Sequence, residues 1–205
     1  DFRLLQEIYS QNEESRPIAQ FADKLHPWAA FIFAGSTFPK GYSSETGADM
    51  LLTNAAADIN KPRGSLESLD DVTAIFKAQP EETMLNFLKA SIKTNKEETE
   101  DIKKLHQAYS DGRFEELIPL LEETEQRTLK LVDTKYAKTM SDWLKNDLLI
   151  RRNLAWLPEI RKQSAKQSTL FAVGIAHLPS EKGLIELLRQ EGYQVTPEPK
   201  VLIWQ

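Results

Sequence analysis

The chain has 205 residues, of which 40% are hydrophobic and 28% charged, a balance typical of globular domains and unlike that of disordered chains. A formal net charge of -5 argues against nucleic acid as a partner, because an acidic surface repels phosphate groups. The absence of cysteine excludes disulfides and thiolate metal ligands, and no apolar run approaches the length of a membrane span.

The N-terminal part of the chain is predicted to form short helices joined by loops. Pro27 precedes an apolar run and is typical of a first helical turn, whereas residues 35–44 are rich in loop-forming residues. A short helix is expected over about 48–59, and the stretch 61–68 is predicted to be extended or turn-like. Beyond it, four apolar residues recur at helical spacing: Leu69, Val72, Ile75 and Phe76.

A charge-rich helical lobe is predicted next, over about residues 69–165. Pro80 followed by two glutamates is a helix start signal, and three amphipathic stripes follow between residues 93 and 150. The last of these helices is expected to kink or end at Pro158. The charged faces predict solvent exposure, and the amphipathic pattern also allows the lobe to form a homo-oligomer.

The last forty residues change character and predict a βαβ unit over about 168–205. The apolar run 168–174 is typical of a strand buried on both faces. A helix capped by Ser180 and stopped at Gly192 is expected to follow, and then strands over 193–195 and 201–204. The sequence therefore predicts an α/β fold, with a small mixed or parallel sheet and a large helical lobe.

Three residues are candidates for chemistry. His177 follows the predicted strand 168–174, and ligands bind beyond the carboxyl ends of strands in open sheets; the alternative is a histidine that hydrogen-bonds a loop. Glu67 leads into a helix and could bind a metal or act as a general base, or it could cap the helix. Arg152 could stabilise a developing oxyanion, although solvent exposure is expected for at least one of Arg151 and Arg152.

Several segments, in consistent order and spacing, resemble the TraB/GumN family, which includes the Tiki proteases. The most specific is Phe-Ala-Val-Gly-Ile-Ala-His-Leu-Pro at 171–179, which with the helix and turn after it is similar to the family's VGAxHL…GLLxLLRxxGYxV ending. Residues 152–156 are similar to its RNxxW segment. The remaining similar segments are 47–49, with the GxD pattern, and 64–68, with the GLE(S/T) pattern.

This resemblance implies a fold like that of the erythromycin-esterase and ChaN-like proteins and a site built around a divalent metal ion. It implies His177 and Glu67 as metal ligands, with Glu67 also the general base and Arg152 the positive group that steadies the oxyanion. The family's first GxxH motif, on an early strand, has no counterpart here. We therefore expect residues 1–205 to form a single domain that is either the C-terminal part of the family's fold or a divergent member with part of its sheet lost. In both cases the chain supplies fewer metal ligands than the family's site. The resemblance also favours a periplasmic or other extracytoplasmic location in Gram-negative bacteria.

Two functions follow from these features. The first is a metal-dependent hydrolase, specifically a peptidase, whose substrate is a peptide or protein. The second is a non-catalytic binding or accessory module that retains the fold, which the missing GxxH motif favours.

Overall fold

The computed structural model describes residues 2–11, 13–36, 38 and 41–197, apart from the side chains of residues 96 and 97. Ten α-helices cover most of this part of the chain: α1 Phe2–Ser10, α2 Arg16–Ala19, α3 Pro27–Gly35, α4 Ala48–Asp58, α5 Leu69–Lys77, α6 Glu81–Ser110, α7 Leu117–Leu129, α8 Thr134–Asp142, α9 Arg151–Ser164 and α10 Leu184–Gln190. None of these helices is both long enough and apolar enough to cross a membrane.

Two compact units divide the chain, Asp1–Trp143 and Leu144–Gln205. The boundary lies at the start of a π-helical segment, Trp143–Ile150. We call the first the N-unit and the second the C-unit. The predicted single domain, with a helical lobe over about 69–165, stays a prediction.

The core of the N-unit lies between α1, α3 and α6. Tyr9 of α1 is fully buried, and its hydroxyl donates a 2.8 Å hydrogen bond to the carbonyl oxygen of Ala30 in α3. The apolar side chains between α1 and α3 offer the Tyr9 hydroxyl no polar partner. A buried hydroxyl without a hydrogen bond is destabilising, so the bond to Ala30 stabilises the packing of the two helices. Four aromatic rings form a second cluster with centroids 5.2–6.4 Å apart: Phe31, Phe76, Phe87 and Trp143.

A buried carboxylate of α6 forms hydrogen bonds with side chains of α7. Asp101 accepts a 2.8 Å hydrogen bond from the Arg127 guanidinium and a 3.0 Å bond from the Thr124 hydroxyl. The charge on Asp101 is thus paired, as a buried carboxylate requires. α5 is capped by Ser68, whose side chain accepts from the backbone of Asp71 while the Asp71 carboxylate accepts from that of Ser68.

In the described part of the C-unit, the π-helical segment leads into α9, and irregular chain connects α9 to a 3₁₀ turn over Ile175–His177 and then to α10. Pro158 does not end α9, which continues to Ser164. Proline removes a donor for the carbonyl of Leu154, four residues earlier. Since Leu154 is 47% exposed, water can replace that donor.

The predicted α/β fold class is wrong for the part of the chain that the structure describes. The structure is 68% helical, and no residue described in it belongs to a β-strand or a sheet. Residues 168–174 and 193–195, both predicted as strands, are irregular, and the strand predicted at 201–204 lies outside the described residues. The fold implied by the resemblance, like that of the erythromycin-esterase and ChaN-like proteins, is therefore not matched by the described residues either.

The physical reason is that an apolar run does not make a strand without a hydrogen-bonded neighbour. Within the described residues, 168–174 has no strand beside it, and Leu170 is 76% exposed instead of buried on both faces. The helix between the predicted strands does form, as α10 with Gly192 after it at φ +90°. Its N-cap is Gly183, however, and not the predicted Ser180.

Candidate functional site

His177 ends the 3₁₀ turn of the C-unit, and its side chain is buried, with 6% of its surface exposed. The turn is closed by a 2.9 Å hydrogen bond from the His177 backbone amide to the Gly174 carbonyl. The imidazole lies against the indole of Trp156, with ring centroids 4.5 Å apart. His177 is thus held in a fixed place, with a polar partner at each ring nitrogen.

Asn153 of α9 is the partner at Nδ1. It is 2% exposed, and its Oδ1 lies 2.7 Å from His177 Nδ1. Its amide nitrogen donates to two backbone carbonyls of the following loop, that of His177 at 3.3 Å and that of Lys182 at 2.9 Å. One side chain of α9 therefore binds both the ring and the backbone of the turn that carries it.

Arg152 is the partner at Nε2, with its Nη1 3.3 Å from that ring nitrogen. The same Nη1 donates a 3.0 Å hydrogen bond to the Leu148 carbonyl, and the guanidinium carbon lies 5.1 Å from the centre of the Trp156 ring. Because a guanidinium has donors but no acceptor, Nε2 of His177 accepts in this contact. Arg151, by contrast, is exposed and pairs with Asp147 at 3.2 Å, which confirms that at least one of the two arginines faces solvent.

The structure thus brings two of the three predicted site residues together in the C-unit, His177 and Arg152. Glu67 belongs to the N-unit, where it is half-buried and lies one residue before the N-cap of α5. The capping role considered for Glu67 belongs instead to Ser68 and Asp71. Whether Glu67 shares a site with His177 stays a prediction.

Neither Arg152 nor Asn153, the two C-unit side chains described at the ring nitrogens of His177, supplies a metal ligand there. A guanidinium has no lone pair to offer a metal, and the amide oxygen of Asn153 faces Nδ1 of the ring. Nowhere in the described chain do three His, Asp or Glu side chains come close enough to hold a metal together. A cation at Nε2 would also meet the positive charge of Arg152.

Two site residues were missed at the level of sequence, Asn153 and Trp156. Both lie in the RNxxW segment, and their i, i+3 spacing places them on one face of α9. The signal was therefore present, but only the arginine of that segment was assigned a role. The other two histidines, His26 and His106, are exposed.

A family model for the TraB/PrgY/gumN family matches residues 1–197. The chain belongs to the TraB/PrgY/gumN family. No curated protein and no solved structure is significantly similar to it. The resemblance seen in the sequence is therefore confirmed for this family member, whereas its activity rests on the chemistry of the residues.

Proposed function

We propose that this TraB/PrgY/gumN-family chain acts in amide hydrolysis of peptides or proteins, with His177 and Arg152 at the reactive centre. The observation that carries the proposal is the contact between His177 Nε2 and Arg152 Nη1, 3.3 Å apart. It places a buried imidazole nitrogen that carries a lone pair beside a permanent cation. These are the two groups that water attack on a carbonyl requires.

In the proposed mechanism, His177 acts as general base. Nε2 accepts a proton from water as the water oxygen bonds to the amide carbon, and the same proton then passes to the leaving nitrogen as the carbon–nitrogen bond breaks. Arg152 donates hydrogen bonds to the oxygen that becomes negative in the tetrahedral intermediate. For this step the guanidinium must first turn from Nε2 towards the substrate.

A divalent metal ion is part of the family resemblance, and it would supply a polarised water and a charge that stabilises the oxyanion. The mechanism proposed here uses only His177 and Arg152, and no step of it depends on such an ion. The assignment of His177 and Glu67 as metal ligands, and of Glu67 as general base, remains a prediction. Titration of the protein and its Glu67→Gln variant with Zn²⁺ tests that assignment directly.

A non-catalytic binding module is the second candidate. It is favoured by the same contact, because the guanidinium of Arg152 donates to Nε2, the ring nitrogen that the mechanism uses as the base. If Arg152 never leaves this position, His177 is a structural residue that holds the 3₁₀ turn. The two candidates therefore differ in whether Arg152 moves when a peptide binds.

The test is hydrolysis of a fluorescently labelled casein by the purified protein, with and without added Zn²⁺. The proposal expects His177→Gln to lower the rate by about 100-fold or more, the usual contribution of a general base. His106→Gln removes an exposed histidine and is the matched control. Equal rates for His177→Gln and the wild type would contradict a catalytic role. A folded wild-type protein that is inactive with and without Zn²⁺ would favour the binding module.

A further inference from the structure

We infer that Asn153 is a positioning residue that holds His177 as the neutral Nδ1–H tautomer, with Nε2 directed at Arg152. The tautomer follows from the contacts of the C-unit alone. Its functional meaning, that Nε2 is the proton-accepting atom, rests on the proposed function.

The orientation of the Asn153 amide is fixed by two carbonyls. The backbone oxygens of His177 and Lys182 can only accept, so the amide nitrogen must face them, at 3.3 and 2.9 Å. A rotation by 180° would place Oδ1 against both carbonyls and lose both bonds. Asn153 is 2% exposed, so water is not available to compensate for that loss. Oδ1 must therefore face the imidazole.

The orientation of Asn153 then fixes the proton on the ring. Oδ1 is an acceptor only, so the 2.7 Å contact with Nδ1 requires a proton on Nδ1. At the other side of the ring, Arg152 offers donors only, so Nε2 must carry the lone pair. Both contacts demand the same neutral tautomer, whereas an imidazolium would direct a second N–H at a guanidinium. An isolated histidine side chain in water prefers the proton on Nε2, so the protein reverses that preference.

The same amide fixes the backbone around the imidazole. Through its two donated bonds, Asn153 connects α9 to both ends of the loop from His177 to Lys182. This loop contains a non-glycine residue in the left-handed region, Ser180 at φ +81°. Since such a conformation persists only where the surroundings determine it, the bonds from Asn153 also maintain the loop that presents His177.

The experiment measures the tautomer by ¹⁵N NMR of the imidazoles in the whole protein. The chain has three histidines. The imidazole signals that disappear in the His177→Gln variant are those of His177. We expect His177 to show a protonated Nδ1 and an unprotonated Nε2 at neutral pH. His26 and His106 are exposed and should show the opposite preference, which makes them internal references. A proton on Nε2 of His177, or an average like that of the other two, would overturn the inference.

Variants separate positioning from a merely structural role. Asn153→Asp keeps an acceptor opposite Nδ1, so the proton on Nδ1 should remain in the folded variant, although an oxygen then faces the two carbonyls in place of their donor. Asn153→Leu removes the acceptor, and the Nδ1–H signature should be lost in the folded protein. Asn146→Leu, at an exposed position close in sequence, is the control and should leave the signature unchanged.

Retention of the signature in folded Asn153→Leu, or its loss in Asn153→Asp, would refute the role of Asn153. Should Asn153→Leu fail to fold, the wild-type and Asn153→Asp spectra decide. The NMR measurement does not depend on hydrolysis. A failure of this inference can therefore be told apart from a failure of the proposed function. A protein with the expected tautomer but no activity would refute only the hydrolase proposal.

Discussion

Tyr9 links the packing of the N-unit to its behaviour at high pH. Its phenol is fully buried and donates to the Ala30 carbonyl, so ionisation would place a charge in the core and abolish the bond. Burial accordingly raises the pKa of the Tyr9 phenol above its ordinary value of 10.0. A group whose pKa is higher in the folded state contributes stability below the unfolded pKa, and that contribution is lost as pH rises.

We therefore predict that the free energy of unfolding falls as the pH rises above 10.0, and that Tyr9→Phe reduces this fall. At neutral pH, Tyr9→Phe should cost about 1–2 kcal/mol, because the buried Ala30 carbonyl loses its donor. Urea unfolding at neutral and alkaline pH measures both effects. Tyr109→Phe, which alters an exposed phenol, is the control. An alkaline loss of stability that is identical in Tyr9→Phe and the wild type would refute the assignment.

At the scale of elements, the connection between the 3₁₀ turn and α10 depends on a residue without a side chain. A Cβ at Gly183 would overlap the carbonyl oxygens of Leu178 and Pro179. These atoms belong to the backbone, so they cannot move aside as a flexible side chain would. The loop is also closed by a 3.0 Å bond from the Gly183 amide to the Ser180 carbonyl.

Gly183→Ala should therefore destabilise the protein by about 3 kcal/mol or more, the upper part of the range for overpacked positions. Gly35→Ala is the matched control, since a Cβ there meets nothing within 4 Å. Thermal unfolding followed by circular dichroism measures the difference. A Gly183→Ala protein as stable as Gly35→Ala would show that the loop can adopt another conformation.

The helices and the irregular segments also show which sequence patterns predict secondary structure in this chain. Helical spacing with proline and acidic start signals predicted α3, α5 and α6 well, because a helix satisfies its hydrogen bonds within one segment. The run 168–174 has the composition of a strand, but a strand needs a partner that composition does not specify. The helices could therefore be predicted from local sequence, whereas the strands could not.

The candidate site was predicted in part for a related reason. His177 and Arg152 were assigned through the family resemblance, and the structure brings them together. Asn153 was missed because its role depends on two carbonyls, those of His177 and Lys182, more than twenty residues away in sequence. Helical spacing could place Asn153 and Trp156 on one face, but it could not show what that face contacts.

For the whole molecule, the 68% helical structure overturns the α/β fold that the family resemblance implies. The helical structure and an α/β fold differ most over residues 168–174. A buried strand would protect the backbone amides there from hydrogen exchange, and an unpaired segment would not. The structure predicts that the amides of Thr169 to Val173 exchange rapidly with deuterated water, whereas those in the middle of α6 and α9 exchange slowly.

Hydrogen exchange resolved by peptide, together with far-ultraviolet circular dichroism, tests this fold. The spectrum should correspond to about two-thirds helix, in line with the 68% of the structure. The measurement should be repeated over a range of protein concentrations, because self-association could pair the exposed segment and protect it. Slow exchange at Thr169 to Val173 at the lowest concentration would show that this segment has a partner within the chain. Protection that grows with concentration would instead identify the segment as a contact between copies, since only association depends on the amount of protein.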